Sequence, residues 1–125
     1  VQDYAVSTLS SEETEWVKGE WYKHFNMAPD PGYRGNGDSN EQVDAFSAPS
    51  AQILIDYYKA VRQNTDKFLN SLNESELDRM VPPVRGTDLV PLRERLPGIM
   101  VESIHHGGQV SYARGALLGR GWLDA

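Results

Sequence analysis

The sequence contains no cysteine in its 125 residues. That absence excludes a disulfide scaffold, a thiolate nucleophile, a cysteine-ligated zinc site and an iron–sulfur cluster. No apolar run approaches the ~18 residues that a membrane-spanning helix needs, so we expect no membrane partner. Basic residues are also few, since 12 Lys and Arg stand against 18 Asp and Glu, for a net charge of −6. Phosphate contacts need clustered Lys and Arg, so we expect no nucleic-acid partner.

The chain has enough apolar residues for an ordinary globular core. They make up 39% of the sequence, a fraction typical of globular domains. Its length corresponds to one domain, which we predict to cover residues 1–125. A cytoplasmic protein is the simplest interpretation of this composition.

Two segments show apolar side chains at steps of three and four, the spacing of one face of a helix. The clearer one covers residues 50–72, and Ser50 at its start suits an N-cap. The other covers residues 92–118 and contains Pro97 near its start. Proline interrupts the backbone hydrogen bonds of a helix, so the second helix either begins at this residue or is kinked there.

A third segment, residues 2–25, has a rougher helical pattern. We favour one long helix; the alternative is a helix that starts at Ser10, because Ser10 and Glu13 are spaced as a capping box. Residues 28–49 are rich in Pro, Gly, Asn, Asp and Ser, which predicts a long connecting loop.

The predicted fold class is all-α, because no alternation typical of a β-strand persists for more than four residues. Three long helices with wide apolar faces need further cover, which a fourth helix upstream of Val1 or a second chain would supply. We therefore expect a helical bundle completed by a preceding segment or by a homodimer. Trp122 and Leu123, beyond the last helix, are expected to fold back on the bundle.

The residues most suited to chemistry lie in the last helix. Helical spacing places Glu102, His106 and Gln109 on one face, together with an apolar stripe that predicts an interior location. A Glu and a His four residues apart can chelate one divalent cation, and the same pair can equally satisfy itself by a hydrogen bond. His105 is turned ~100° away from this face.

Further candidate ligand contacts flank these residues. Tyr112 and Arg114 lie beside the stripe, where Arg114 would either pair with an acid of a neighbouring helix or hold a substrate anion. Gln109 and Trp16 complete the candidate ligand-binding set. The aromatic side chains as a group, Trp16 included, are more typical of core packing than of a cofactor box.

The stretch from Glu102 to Gly119 resembles the last helix of the DinB-like family. That helix carries His-His-x-Gly-Gln, then an aromatic residue, Arg-Gly, and a further Gly one turn later. The matching positions here are His105, His106, Gly108, Gln109, Tyr112, Arg114, Gly115 and Gly119. Leu9 to Trp16 resembles the family's second helix, and the likeness would cover nearly the whole chain.

The resemblance implies a four-helix bundle with up-down-down-up order whose first helix precedes this chain. It also implies a homodimer and a divalent metal, commonly nickel or zinc, held by three histidines. Carried over to this sequence, the ligands of the last helix fall on Glu102 and His106. The second-helix ligand falls on Thr8, where Glu12 one turn later would replace it. The implied metal ligands are therefore His106, Glu102 and Glu12.

Three functional hypotheses follow. The first, implied by the resemblance, is a metal-dependent transferase, isomerase or hydrolase that activates a low-molecular-weight thiol or water, with His106 and Glu102 as its catalytic residues. The second is a metal-free bundle that binds a small molecule or acts as a stress-associated dimer without catalysis. The third is a metal-free enzyme that uses the His106–Glu102 pair for acid–base chemistry.

Overall fold

A computed structural model of the protein describes residues 1–119 and residue 121. Trp122 and Leu123, which were expected to fold back, lie outside the described residues. The chain forms two compact units, Val1–Asn73 and Glu74–Ala125. Helices dominate both units, so the all-α prediction is confirmed. Within the described residues, no helix combines the length and the apolar character needed to cross a membrane.

The N-terminal unit is built on contacts that α5 makes with the short helices preceding it. Its helices are α1 (Gln2–Ser10), α2 (Glu15–Lys18), α3 (Trp21–His24), α4 (Asn40–Ala45) and α5 (Ala51–Ser71). Both α1 and α2 contact α5. The buried apolar residues are Ala5, Val6, Leu9, Phe25, Val61 and Phe68. Burial of these side chains is the main term that stabilises the unit.

The helix predicted at residues 50–72 is confirmed as α5. The Ser50 hydroxyl accepts a hydrogen bond from the backbone N–H of Ile53 at 3.3 Å, and this satisfies one of the free donors of the first turn. Val61 and Phe68 point into the core at helical spacing, seven residues apart.

The prediction of one long N-terminal helix is wrong, as is the alternative that starts at Ser10. The chain instead leaves α1 after Ser10, because Ser11 adopts a left-handed conformation with φ of 60°. The Ser10 hydroxyl accepts from the backbone N–H of Glu12 and so stabilises this turn. A second left-handed residue, Glu20 with φ of 53°, separates α2 from α3. Left-handed residues cannot continue a right-handed helix.

The loop predicted at residues 28–49 contains one helix, α4. Ser39 accepts from the backbone N–H of Gln42, while the Gln42 side chain accepts from the backbone N–H of Ser39. This reciprocal pair is a capping box, which starts a helix by satisfying two free donors at once.

The C-terminal unit contains a short hairpin followed by the longest helix. A 3-10 helix (Glu74–Asp78) precedes strands β1 (Met80–Val81) and β2 (Val90–Pro91), and β2 leads directly into α6 (Leu92–Leu118). The strands are antiparallel, with Val81 opposite Val90. Val81 and Leu92 are almost fully buried and form the small core of this unit.

Helix α6 has the predicted limits. It begins at Leu92, five residues before Pro97, so the proline lies within the helix. It ends at Gly119, whose φ of 73° suits glycine. The predicted burial of one α6 face is wrong, because Val110 and Leu117 are 68% and 85% exposed. Apolar side chains occur on every side of α6, so its sequence selects no single face for burial.

Candidate functional site

Asp3 is the best-connected buried polar residue of the N-terminal unit. It is only 9% exposed. One carboxylate oxygen accepts from the backbone N–H of Glu15, and the other accepts from the backbone N–H of Trp16 and the hydroxyl of Tyr57, each at 2.9 Å. A buried carboxylate requires such donors to remain charged. Through these contacts, Asp3 joins α1 to both α2 and α5.

Asp3 also takes over the capping of α2. Thr14 occupies the N-cap position, yet its side chain makes no capping hydrogen bond. Its buried hydroxyl oxygen has no hydrogen-bond partner in the described part of the chain. The carboxylate of Asp3 instead meets the free N–H groups at the start of this helix, where a negative charge is also favoured by the helix dipole.

Burial raises the pKa of Tyr57 above its ordinary value of 10.0, and the negative charge of Asp3 and the hydrogen bond to it add to this effect. Glu15 contributes a smaller repulsion of the tyrosinate. Tyr57 therefore stays protonated near neutral pH, and its hydroxyl donates a hydrogen bond to Asp3.

Aromatic rings surround this carboxylate. The ring centroid of Trp16 lies 5.6 Å from that of Phe25 and 5.7 Å from that of Tyr57. Trp21 also contacts Tyr57, at 5.4 Å between centroids. The indole N–H of Trp16 donates to the carbonyl of Ala28 at 3.1 Å, which fixes the orientation of the ring. Such contacts combine large apolar area with defined geometry.

Trp16, Phe25 and Tyr57 line a cavity of about 240 Å³. Its lining includes Asp3, Tyr4, Trp16, Phe25, Arg34 and Tyr57. We call this cavity the aromatic pocket. Apolar walls with a few fixed polar groups are typical of sites that bind small molecules.

The face predicted on α6 is present, and its residues contact one another. Nε2 of His106 lies 3.8 Å from a carboxylate oxygen of Glu102, and Nδ1 lies 2.9 Å from the amide oxygen of Gln109. An amide oxygen accepts, so Nδ1 is the donor, and Nε2 pairs with the carboxylate of Glu102 when the imidazole is protonated.

The predicted interior location of this face is wrong. The side chain of His106 is 54% exposed and that of Glu102 is 37% exposed. Helical spacing fixes which residues share a face, whereas burial depends on what packs against that face. The sequence therefore predicted which residues share this face, but its prediction that the face is buried was wrong.

Of the implied metal ligands, Glu102 and His106 belong to the C-terminal unit and Glu12 belongs to the N-terminal unit. Glu102 and His106 supply two converging donors, which suits a divalent cation. The carboxylate of Glu12 accepts from the ammonium group of Lys67 at 3.1 Å, and the hydroxyl of Thr8 donates to the carbonyl of Tyr4. Across residues 1–119 and 121, no group of three or more His, Asp or Glu side chains is arranged to hold a metal ion.

The other candidate ligand contacts have different surroundings. Gln109 contacts His106, as described above. Tyr112 is 81% exposed and Arg114 is also exposed. Trp16 lines the aromatic pocket, where it contributes a wall. It is the one candidate from the sequence that lies in this pocket.

Sequence reasoning missed the roles of Asp3, Tyr4, Arg34 and Tyr57. Asp3 gave one usable indication, because it lies one turn before Val6 on a helix with a buried face, where a carboxylate needs donors. No sequence feature indicated a role for Arg34, since it lies in a loop whose path the sequence pattern does not define.

Comparisons with known proteins place the chain in context. The family model of the DinB superfamily matches residues 5–110. No curated protein matches the chain. The chain is similar in fold to the crystal structure of a conserved protein from Enterococcus faecalis, with a TM-score of 0.79 and 23% identity. The match covers 95% of this chain and 69% of that one. At this identity, the likeness concerns the fold alone.

Proposed function

This chain belongs to the DinB superfamily, and we propose that it binds a small organic molecule in the aromatic pocket of its N-terminal unit. The observation that carries the proposal is a cavity of about 240 Å³ with aromatic walls and fixed polar groups. Ligand pockets usually measure about 300–1,000 Å³, so a compact ligand is expected here.

The rigidity of the pocket supports this proposal. Trp16 is held by its indole hydrogen bond, and Tyr57 is held by its bond to Asp3. Walls that are already oriented need little reordering when a ligand enters, and this lowers the entropic cost of binding. Such walls suit a ligand with a flat ring that packs against Trp16.

A pair of variants on α5 tests the proposal. Leu54 lines the pocket, whereas Leu69 lies on the same helix, has similar exposure and does not line it. Leu54→Trp should fill the cavity and weaken binding of phenol at least tenfold, as measured by saturation-transfer NMR and calorimetry. Leu69→Trp should leave the affinity unchanged. Equal affinities in the two folded variants, or no binding by the parent protein, would refute a ligand site here.

A second candidate function is metal-dependent catalysis at the α6 face. The contacts of His106 with both Glu102 and Gln109 support it, since a hydrogen bond to the other ring nitrogen typically orients a metal-binding histidine. Glu102 and His106 would hold a nickel or zinc ion. Such an ion lowers the pKa of a bound thiol or water. A low-molecular-weight thiol would serve as cosubstrate in a transferase, isomerase or hydrolase reaction.

Metal analysis separates this candidate from metal-free acid–base catalysis by the same pair. Protein purified without added metal should contain about one nickel or zinc ion per chain. His106→Ala should abolish metal uptake, while His105→Ala should retain it because that ring is turned ~100° away. Activity that resists chelators and follows a single imidazole in its pH–rate profile would favour the acid–base alternative.

We also propose that the protein is a cytoplasmic homodimer. The exposed apolar side chains of α6, including Ile104 and Val110, support association because contiguous apolar surface is costly in water. The dimer would equally suit a stress-associated role without catalysis.

A further inference from the structure

We propose that the aromatic pocket takes a small aromatic monocarboxylate, whose carboxylate pairs with Arg34 and whose ring packs against Trp16. This inference rests on the proposed function, because it names the chemical class of the ligand for that same pocket.

Arg34 is the cationic side chain that lines the pocket, and its charge has no anionic partner among the described residues. Its guanidinium carbon lies 4.4 Å from the ring centroid of Tyr4, and the side chain lines the cavity. The described residues give Arg34 neither an ion pair nor a hydrogen bond. Stacking on Tyr4 holds the guanidinium plane while its N–H groups stay open. A planar guanidinium with open N–H groups can bind a carboxylate with two parallel hydrogen bonds.

The two carboxylates nearest in sequence to Arg34 are occupied by local contacts. Asp38 accepts from the hydroxyl of Tyr33, and Asp30 accepts from the backbone N–H of Gly32. Both contacts stabilise turns of the loop that carries Arg34. The anion that would complement Arg34 is therefore expected to come from a ligand.

Asp3 does not favour a cationic ligand, although it also lines the pocket. Its two oxygens already accept three hydrogen bonds, from Glu15, Trp16 and Tyr57. Those donors offset the carboxylate charge, and Arg34 would repel a second cation. Of the two charged side chains that line this pocket, only that of Arg34 is free to recognise a ligand.

The rings define the rest of the ligand. Trp16, Phe25 and Tyr57 form a connected set of aromatic contacts along the cavity. A single ring can stack against or meet the edges of these side chains. The small volume leaves room for a short linker between that ring and the carboxylate, which suits phenylpropionate as a probe.

Three probes of nearly equal shape test the charge requirement: phenylpropionate, its neutral amide phenylpropionamide and the cation phenylpropylammonium. Calorimetry on the full chain should show that the carboxylate binds about tenfold more tightly than the amide, and that the ammonium compound binds most weakly. Raising the salt concentration should weaken binding of the carboxylate, leave binding of the amide unchanged and not weaken binding of the ammonium compound, because salt screens both the attraction and the repulsion of partly exposed charges.

Arg34→Gln should remove the preference for the carboxylate and leave amide affinity within about twofold. Arg62→Gln is the matched control, since Arg62 is exposed, pairs with Asp66 at 3.7 Å and does not line the pocket. Circular dichroism should show native helix content in both variants.

The outcomes separate this inference from the proposed function. Equal binding of all three probes, abolished by Leu54→Trp, would overturn the carboxylate while the pocket remains a ligand site. Tightest binding of the ammonium compound would assign recognition to Asp3 instead. A carboxylate preference that persists in Arg34→Gln would show that Arg34 does not bind the carboxylate. No binding of any probe would overturn both proposals.

Discussion

Asp3 gives the sharpest test at the scale of single residues. Asp3→Asn preserves shape but replaces one acceptor oxygen with an N–H₂ group that would face a backbone or hydroxyl donor. The loss of a buried, charge-assisted hydrogen bond should lower the free energy of unfolding by about 1–3 kcal/mol. Urea denaturation followed by circular dichroism measures this change.

Asp66→Asn is the matched control for Asp3→Asn. Asp66 is exposed, and its ion pair with Arg62 spans 3.7 Å on the surface of α5. Exposed pairs of this kind contribute about 0–1 kcal/mol. Similar losses in the two variants would contradict a special role for the buried carboxylate.

The raised pKa of Tyr57 predicts how the free energy of unfolding depends on pH. Burial and Asp3 raise the pKa of its phenol in the folded protein. The unfolded chain would release this proton near the ordinary value of 10.0, while the folded chain would keep it. The contribution of Tyr57 to stability is therefore complete below pH 10 and declines as the pH rises above that value.

Tyr57→Phe should reduce this alkaline loss of stability, at the cost of the hydrogen bond to Asp3. The measurement is the slope of unfolding free energy against pH, compared between the parent and the variant. Tyr58→Phe provides the control, because Tyr58 is the neighbouring residue and is 56% exposed. Parallel slopes for the parent and Tyr57→Phe would show that this phenol does not ionise on unfolding.

At the scale of elements, sequence patterns predicted α5 and α6 well because their limits are set locally. Ser50 caps the first helix, and Gly119 ends the second with a conformation that suits glycine. The N-terminal helices were not predictable in this way. Ser11 and Glu20 adopt left-handed conformations that their residue types do not require, and tertiary contacts such as those of Asp3 with α2 override the local pattern.

Leu92 tests the small core of the C-terminal unit. It is 0% exposed and begins α6 directly after β2. Leu92→Ala should destabilise this unit by about 2–5 kcal/mol, because it removes buried contacts and leaves a cavity. Leu89→Ala, at a residue that is 54% exposed, should have little effect. Hydrogen exchange of the α6 amides in both variants reports the loss within this unit.

At the scale of the whole molecule, the predicted homodimer is directly measurable. Light scattering should give about twice the chain mass of 14.0 kDa. Replacing Ile104 and Val110, which are 69% and 68% exposed, with Gln should shift the protein towards the monomer without loss of helix. A stable monomer of the parent protein at high concentration would contradict this assembly.

The resemblance found from residues 102–119 is confirmed at the level of the superfamily. A motif of several residues in one helix can be recognised from sequence because its spacing is local. The aromatic pocket could not be predicted in the same way. Its polar centre depends on Asp3 and Tyr57, which are 54 positions apart in the chain, and no periodic pattern connects residues at that separation.

The contacts of Asp3 also imply an order of assembly during folding. Its bonds to Glu15 and Trp16 span 12 and 13 positions, whereas its bond to Tyr57 spans 54. Closing the longer loop costs about 1.3 kcal/mol more chain entropy than closing the shorter ones. The turn between α1 and α2 can therefore close first around the carboxylate. Helix α5 can then pack against a surface where the carboxylate of Asp3 is already positioned to accept the hydrogen bond of Tyr57.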